Sequence, residues 1–411
     1  MKTLIKNIKE LVQVEYQPKV RVMGKDMANI QTIKNAYLIV EDDKISSFGQ
    51  MIDLAEQTFD LEVDATGRMV FPTFCDSHTH MVYAGSREIE YIDKIRGLSY
   101  DEIAKRGGGI LNSAKRVQEA SEQQLFDDAL ARLEMMTSFG TGAVEIKSGY
   151  GMTVEAEMKM LRVIRRLKEV SPLTIKSTLL GAHGIPMEYR GCQEKFVDLV
   201  VNEMVPQAAA EGLADYIDVF CDEGFFTVED TARILEAGAK YGMRPKIHAN
   251  EMACSGGIQV AVKYNALSCD HLEFTGDAEI ECLLGSETMP TVLPGAAFFL
   301  NMQHAPVRKM MDAGLAVAMA SDYNPGSSPS GNMQLILSFA CVNYRMLPEE
   351  ALNATTINSG YAMGVSDRLG SIAVGKTANF YITKPISTFE YMPYAYGENK
   401  VESVFLNGKR V

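Results

Sequence analysis

The sequence lacks several features that mark other classes of protein. Its apolar stretches stay short of the ~18 residues that a membrane-spanning helix needs, and its first residues, MKTLIKNIKELVQ, lack the continuous apolar core of a signal peptide. Acidic residues outnumber basic ones, 53 to 40, for a net charge of −13. Phosphate binding needs a Lys/Arg footprint, and no such stripe is present. We therefore expect no membrane or nucleic-acid partner.

The cysteines also exclude two kinds of site. There are seven, an odd number, scattered along the chain and without a C-x-x-C pair. This pattern predicts neither a disulfide framework nor a cysteine-based zinc site. A reducing cytoplasm is the expected location.

What is present is an alternation of strand-like and helix-like segments. Short apolar or β-branched runs are followed by a turn and then by a longer segment with helical spacing. The runs with strand character are residues 69–80, 140–148, 174–183, 216–224, 245–251, 266–274, 291–300 and 316–324. Such alternation predicts a parallel sheet, and eight units favour a closed (β/α)₈ barrel of α/β class. An open doubly wound sheet is less favoured, because no G-x-G-x-x-G follows an early strand.

The two ends of the chain differ from this pattern. Residues 36–49, 377–384 and 400–411 are strand-like and carry turn signals, without helices between the members of each terminal region. They predict a small β-sandwich domain formed from both termini. We expect residues 1–65 and 366–411 in that domain and residues 66–365 in the barrel.

Polar side chains stand at the ends of the strand-like runs. The carboxyl ends of barrel strands are where catalytic groups sit. Five of the six histidines lie there, and the full set is His78, His80, Tyr150, His183, His248, Glu251, His271 and Asp322. The sixth, His304, fits no ligand position.

His78 and His80 are the strongest indication of chemistry in this set. Residues two apart in a strand face the same side, so both imidazoles reach one space. Zinc or iron binds imidazole nitrogens and carboxylate oxygens at about 2.0–2.2 Å. An isolated H-x-H is more often structural or superficial than metal-binding. Joined with His248 and Asp322 on later strands, it predicts a single metal ion.

Longer motifs carry a resemblance to a known family. They are DSHTHMVYAGSRE (76–88), EIKSGYG (145–151), LLGAHGIP (179–186), DVFCDEG (218–224), KIHANE (246–251), DHLE (270–273), SDYNPGSSP (321–329) and ALNATTINSGYAMG (351–364). With them the chain resembles the amidohydrolase superfamily of metal-dependent TIM-barrel enzymes, and within it the branch that opens an imidazolone ring during histidine breakdown. The reaction so implied is hydrolysis of the ring amide of 4-imidazolone-5-propanoate to N-formimidoyl-L-glutamate.

The resemblance also implies roles for single residues. One divalent ion per subunit, Zn²⁺ or Fe with Mn²⁺ as a further option, would be held by His78, His80, His248 and Asp322. A small substrate with a carboxylate arm would be bound by Arg87, Tyr150, His183, Glu251, Asn324, Gly326 and Ser327. Protons would be handled by Glu251, His271 and Asp322. A homodimer is the family expectation.

Two other functions stay open at this point. An aminohydrolase of the same superfamily, deaminating a pyrimidine or related ring, would use the same His248, Glu251 and Asp322, and Arg87 separates the two because its planar guanidinium matches a carboxylate. A non-catalytic scaffold would be expected to lose metal ligands.

Asn250, where the family often has Asp, should face away from the metal, and Lys147 is not expected to bridge two metals.

Overall fold

The structure is a computed structural model that describes residues 1–98 and 108–411. Its strands form two eight-stranded sheets. The sequence KRGGGI (105–110) predicts a loop near the barrel mouth, and its residues 105–107 lie outside the described residues.

Sixteen strands are present in the described residues. They are β1 Lys2–Val12, β2 Thr32–Glu41, β3 Lys44–Gln50, β4 Leu61–Asp64, β5 Met69–Pro72, β6 Phe74–Thr79, β7 Thr141–Lys147, β8 Thr174–Ala182, β9 Tyr216–Cys221, β10 Arg244–Ala249, β11 Ser268–His271, β12 Met289–Val292, β13 Ala318–Met319, β14 Phe380–Thr383, β15 Val401–Leu406 and β16 Lys409–Arg410. Strands β6 to β13 pair in chain order, and each neighbouring pair is parallel. They form the second sheet, which is the barrel.

Two backbone hydrogen bonds join the ends of this sheet. The Asp322 N–H donates to the His78 carbonyl at 3.0 Å, and the His80 N–H donates to the Tyr323 carbonyl at 2.9 Å. The first and last strands are therefore adjacent, and the predicted barrel is confirmed over the open sheet. The same bonds bring the segment that carries Asp322 beside the strand that carries His78.

Helices cover the outside of the barrel. The described α-helices are Glu88–Ile95, Ile110–Glu119, Glu122–Ser138, Val154–Val170, Gln193–Leu199, Val205–Ala210, Val228–Ala239, Gly257–Lys263, Asp277–Leu284, Pro294–Leu300, Val307–Asp312, Met333–Asn343, Pro348–Asn353, Ser359–Ala362 and Tyr391–Tyr394. Short 3₁₀ turns span Gly24–Ala28, Met51–Asp53 and Met187–Tyr189, and π turns span Val200–Met204 and Ala354–Asn358.

The helix Val154–Val170 shows why these segments are helical. Its apolar residues recur every three or four positions, and Met158, Leu161 and Ile164 are buried on one face. The Thr153 side chain accepts from the Ala156 N–H and caps the first turn. In the described residues, no helix is long and apolar enough to cross a membrane.

Two of the strand predictions were wrong in extent. Residues 69–80 are two strands in different sheets, because β5 pairs with β1 and β14 while only β6 enters the barrel. Residues 291–300 leave the strand after Val292, and Pro294 starts a helix, a position where its fixed φ and missing N–H cost nothing. Apolar residues lie on both sides of each break, so hydrophobic pattern alone does not reveal the breaks.

Both termini build the other sheet. Strands β14 and β15 pair antiparallel, β14 joins β5, and β5 joins β1. A second apolar core forms among these strands, with Ile5, Leu38, Val70, Phe380 and Phe405 among its members. Strand Met69–Pro72 thus pairs with the terminal sheet, although it lies after the expected domain boundary between residues 65 and 66. The domain boundaries stay a proposal.

Candidate active site

Three imidazoles and one carboxylate meet at the carboxyl end of the barrel. His80 Nε2 lies 3.2 Å from His78 Nε2 and 3.3 Å from His248 Nε2. Asp322 Oδ1 lies 3.5 Å from His78 Nε2 and 3.6 Å from His80 Nε2. Ligand atoms about 2.1 Å from a common centre are about 3.4 Å apart in a tetrahedral arrangement. The spacing of these four residues therefore fits one cation.

The far side of two of these rings is held by carboxylates. His78 Nδ1 lies 2.6 Å from Asp270 Oδ2, and His248 Nδ1 lies 3.0 Å from Asp218 Oδ2. An Nδ1–H that donates to a carboxylate leaves the Nε2 lone pair free for a metal. Burial, followed by neighbouring cationic groups, holds the pKa of His78 well below its usual range, so the ring is neutral. Sequence reasoning did not identify Asp218 and Asp270 as supports, although both stand in quoted motifs.

A tight turn places Tyr150 and His183 beside His80. The Glu157 carboxylate accepts from the N–H groups of Gly149, Gly151 and Met152 at 2.6–2.9 Å, which fixes the turn after β7. Gly149 has φ +112°, and a Cβ there would stand 2.7 Å from His183 Nδ1.

His183 stacks on His80 with ring centroids 4.8 Å apart, and Tyr150 lies 5.4 Å from His183. Burial lowers the pKa of His183 to about 3 and raises that of Tyr150. At neutral pH both therefore offer uncharged polar groups to a ligand.

Glu251 and His271 meet on the other side of the cluster. Asp222 accepts from the N–H groups of Glu251 and Met252 at 2.7 and 2.9 Å, which holds the loop after β10. His271 Nε2 lies 3.5 Å from Glu251 Oε2, and its Nδ1 lies 3.8 Å from Glu273 Oε2. Burial, with the charges of Asp322 and Asp222, raises the pKa of Glu251 to about 8. Glu251 is therefore a proton donor at neutral pH.

Asp322 has a raised pKa and directs one carboxylate oxygen at the histidines, two features that suit a proton acceptor. Burial raises its pKa to about 7, with His248 the largest opposing influence. Its Oδ2 accepts from Ser327 Oγ at 3.2 Å, while its Oδ1 faces the histidines.

Arg87 lies at the rim, held by an acidic residue one helical turn on. Glu90 Oε2 accepts from Arg87 Nε at 2.8 Å and from Nη2 at 2.6 Å. A Cβ at Gly326 would collide with Arg87 Nη1, so the glycine admits the guanidinium. Since Glu90 occupies the Nε edge, the outer Nη1–Nη2 edge keeps its donors for a ligand. Sequence reasoning missed Glu90, whose spacing from Arg87 was the available signal.

Asn324 and Ser327 shape the loop that follows Asp322. The Asn324 side chain accepts from the Gly326 and Ser327 N–H groups at 2.8 Å and donates to the Asp322 carbonyl at 2.6 Å. Its amide is thus occupied by the loop. Asn250 Nδ2 donates to the Phe274 carbonyl at 2.7 Å, which ties the loops after β10 and β11 together.

The chain is similar to one known family and to several of its members. The amidohydrolase family matches residues 69–411. An imidazolonepropionase of Christiangramia forsetii is 53% identical over 411 residues, covering 100% of both chains. The imidazolonepropionase of Flavobacterium johnsoniae is 52% identical, again with 100% of both chains covered. That of Caldanaerobacter subterraneus is 42% identical over 93% of this chain and 91% of its own.

Solved structures share the fold at much lower identity. A triazine hydrolase variant superposes with a TM-score of 0.77 and 15% identity, covering 100% of this chain and 94% of its own. A zinc-bound adenosine deaminase of Xanthomonas campestris superposes with a TM-score of 0.68 and 14% identity, covering 99% and 92%. At these identities the likeness is one of fold.

Proposed function

Since the chain belongs to the amidohydrolase family, and within it to the imidazolonepropionases, we propose that it hydrolyses 4-imidazolone-5-propanoate to N-formimidoyl-L-glutamate. The enzyme is a hydrolase of histidine degradation that acts on a cyclic amide. One water molecule is added, the ring bond between the carbonyl carbon and nitrogen breaks, the carbon becomes a carboxylate, and the nitrogen leaves with a proton.

The convergence of His78, His80, His248 and Asp322 is the observation that carries this proposal. The family depends on a metal, and we propose a single divalent ion, zinc or iron, at these four residues. Such an ion would polarise a carbonyl and lower the pKa of a water molecule towards neutrality. The spacing of the ligand atoms and the carboxylate support of two rings favour one ion over two.

Arg87 supplies the recognition of the propanoate arm. The outer edge of its guanidinium can donate two parallel hydrogen bonds to a carboxylate, while Glu90 fixes the other edge. His183 and the buried Tyr150, both uncharged and next to His80, would border the ring. The loop that follows Asp322 completes the proposed substrate contacts with Gly326, which lies against Arg87, and Ser327, which donates to Asp322.

Two carboxyl groups in different environments accept and donate the protons of the reaction. Asp322 takes the proton of the attacking water, because it faces the histidine cluster and has a pKa of about 7. Glu251, which holds its proton at neutral pH, gives it to the departing ring nitrogen. His271, 3.5 Å from Glu251, orients that carboxyl and the substrate oxygen. A homodimer is proposed from the resemblance alone, and a cytoplasmic location from the scattered cysteines.

The test is a direct assay of the purified, zinc-loaded protein. We expect loss of the ultraviolet absorbance of the imidazolone and formation of N-formimidoyl-L-glutamate, identified by mass spectrometry. Asp322→Asn is the matched control, since it keeps size and shape but removes the proton acceptor. An unchanged imidazolone spectrum with wild-type protein, or release of ammonia from a pyrimidine instead, would overturn the assignment.

A further inference from the structure

A cluster of buried charges lies inside the barrel beneath the histidines. Glu145, Lys147, Asp218, Lys246 and Asp270 are all 0% exposed. The interior of such a barrel is ordinarily filled by bulky apolar side chains. Two ammonium groups and three carboxylates in that space need a reason, because burying charge is costly even in pairs.

Lys147 occupies the centre of this cluster. Its Nζ lies 2.6 Å from Glu145 Oε1, 2.8 Å from Asp218 Oδ2 and 3.8 Å from Asp270 Oδ2. These two aspartate oxygens are the ones that face histidines: Asp270 Oδ2 is 2.6 Å from His78 Nδ1, and Asp218 Oδ2 is 3.0 Å from His248 Nδ1. One ammonium group thus lies between the supports of two proposed metal ligands.

We propose that Lys147 is a positioning residue that sets both His78 and His248 for the metal through Asp270 and Asp218. The inference rests on the ligand set proposed above. By attracting both carboxylates, Lys147 fixes where each lies against the Nδ1 of its histidine, and so aims both Nε2 atoms at one point. Partners of this kind typically contribute about 10–100-fold to metal affinity or activity.

Lys246 provides a matched comparison. It is equally buried on β10, and it donates to Glu145 and to the Ser77 and Ala362 carbonyls, the latter two at 3.0 Å. Within the described residues its ammonium makes no ion pair with Asp218 or Asp270. Three carboxylates and two ammonium groups give the cluster a net charge of −1.

The experiment uses two double variants of the full chain. Lys147→Met alone would leave a buried carboxylate uncompensated and destabilise the fold, so K147M/E145Q is compared with K246M/E145Q. Each removes one ammonium and one carboxylate and keeps the cluster at −1. Circular dichroism and thermal melts establish that both are folded. Zn²⁺ affinity is measured by competition with a chromophoric chelator, and the visible spectrum of the Co²⁺ form reports ligand geometry.

We expect K147M/E145Q to bind Zn²⁺ about 10–100-fold more weakly than wild type and to show a changed Co²⁺ spectrum. K246M/E145Q should stay within about threefold of wild type, since in the described part of the chain Lys246 makes no ion pair with either aspartate and acts on Asp270 only through its charge. Equal affinity in all three proteins would overturn the role of Lys147 and leave the proposed ligands intact. Equal weakening of both variants would also overturn it, because buried charge in general would then be responsible. A wild-type protein that binds no metal would refute the ligand set as well.

Discussion

Removing Arg87 tests how the enzyme selects a substrate with a carboxylate arm. In Arg87→Ala the two donors of the outer guanidinium edge are lost, and each charge-assisted hydrogen bond is worth about 1.5–3 kcal/mol. We take the lower value for each hydrogen bond, about 3 kcal/mol in total, because the Arg87 side chain is 11% exposed and water partly screens its charge. At 1.4 kcal/mol per factor of ten, the loss corresponds to about a 100-fold rise in KM.

The split between KM and kcat is the informative part of this measurement. The carboxylate is remote from the bond that breaks, so the interaction stabilises bound substrate and transition state alike, and kcat should change little. Initial rates from imidazolone absorbance, over a range of substrate concentrations, provide both constants. Arg116→Ala is the control, since Arg116 is an exposed arginine that donates to the backbone carbonyl of Ser86. A KM within about threefold of wild type for Arg87→Ala would refute the reasoning.

Three further predictions concern neighbouring groups. Because burial raises the pKa of Glu251 to about 8, the acid is present below that pH; kcat should fall as pH rises through about 8, and a pH–rate profile of Glu251→Gln that kept this limb would contradict the role. Glu90→Gln weakens the restraint on Arg87 and should raise KM about tenfold with kcat nearly constant, whereas steady-state kinetics showing only a lower kcat would argue against it. Gly149→Ala, whose Cβ would stand 2.7 Å from His183 Nδ1, should lower kcat/KM by about tenfold or more. Gly191→Ala is the control, because Gly191 also has a positive φ but faces open space, and it should leave kcat/KM near the wild-type value.

The barrel and the convergence of the strand-end side chains could be predicted because they depend on local periodicity. Residues two apart in a strand face one side, so His78 and His80 had to share a space, and parallel strands bring their carboxyl ends to one rim. His248 and Asp322 follow from the same rule. The breaks after Pro72 and Val292 could not be predicted in this way, since apolar residues lie on both sides of each of them.

The supporting residues depend on contacts between distant parts of the chain. Asp270 contacts His78 across 192 positions, and Lys147 reaches Asp218 on another strand. Their sequence signal was a charge inside an apolar strand, which by itself does not identify a partner. Asn324 shows the opposite case, because its expected substrate contact competes with an amide that already holds its own loop.

The most direct test of the whole account is a crystal structure of the zinc-loaded enzyme with N-formimidoyl-L-glutamate. We predict one anomalous zinc peak between the Nε2 atoms of His78, His80 and His248 and Asp322 Oδ1, and the side-chain carboxylate of the product on the outer edge of Arg87. A metal bound elsewhere, or a product carboxylate directed away from Arg87, would contradict it.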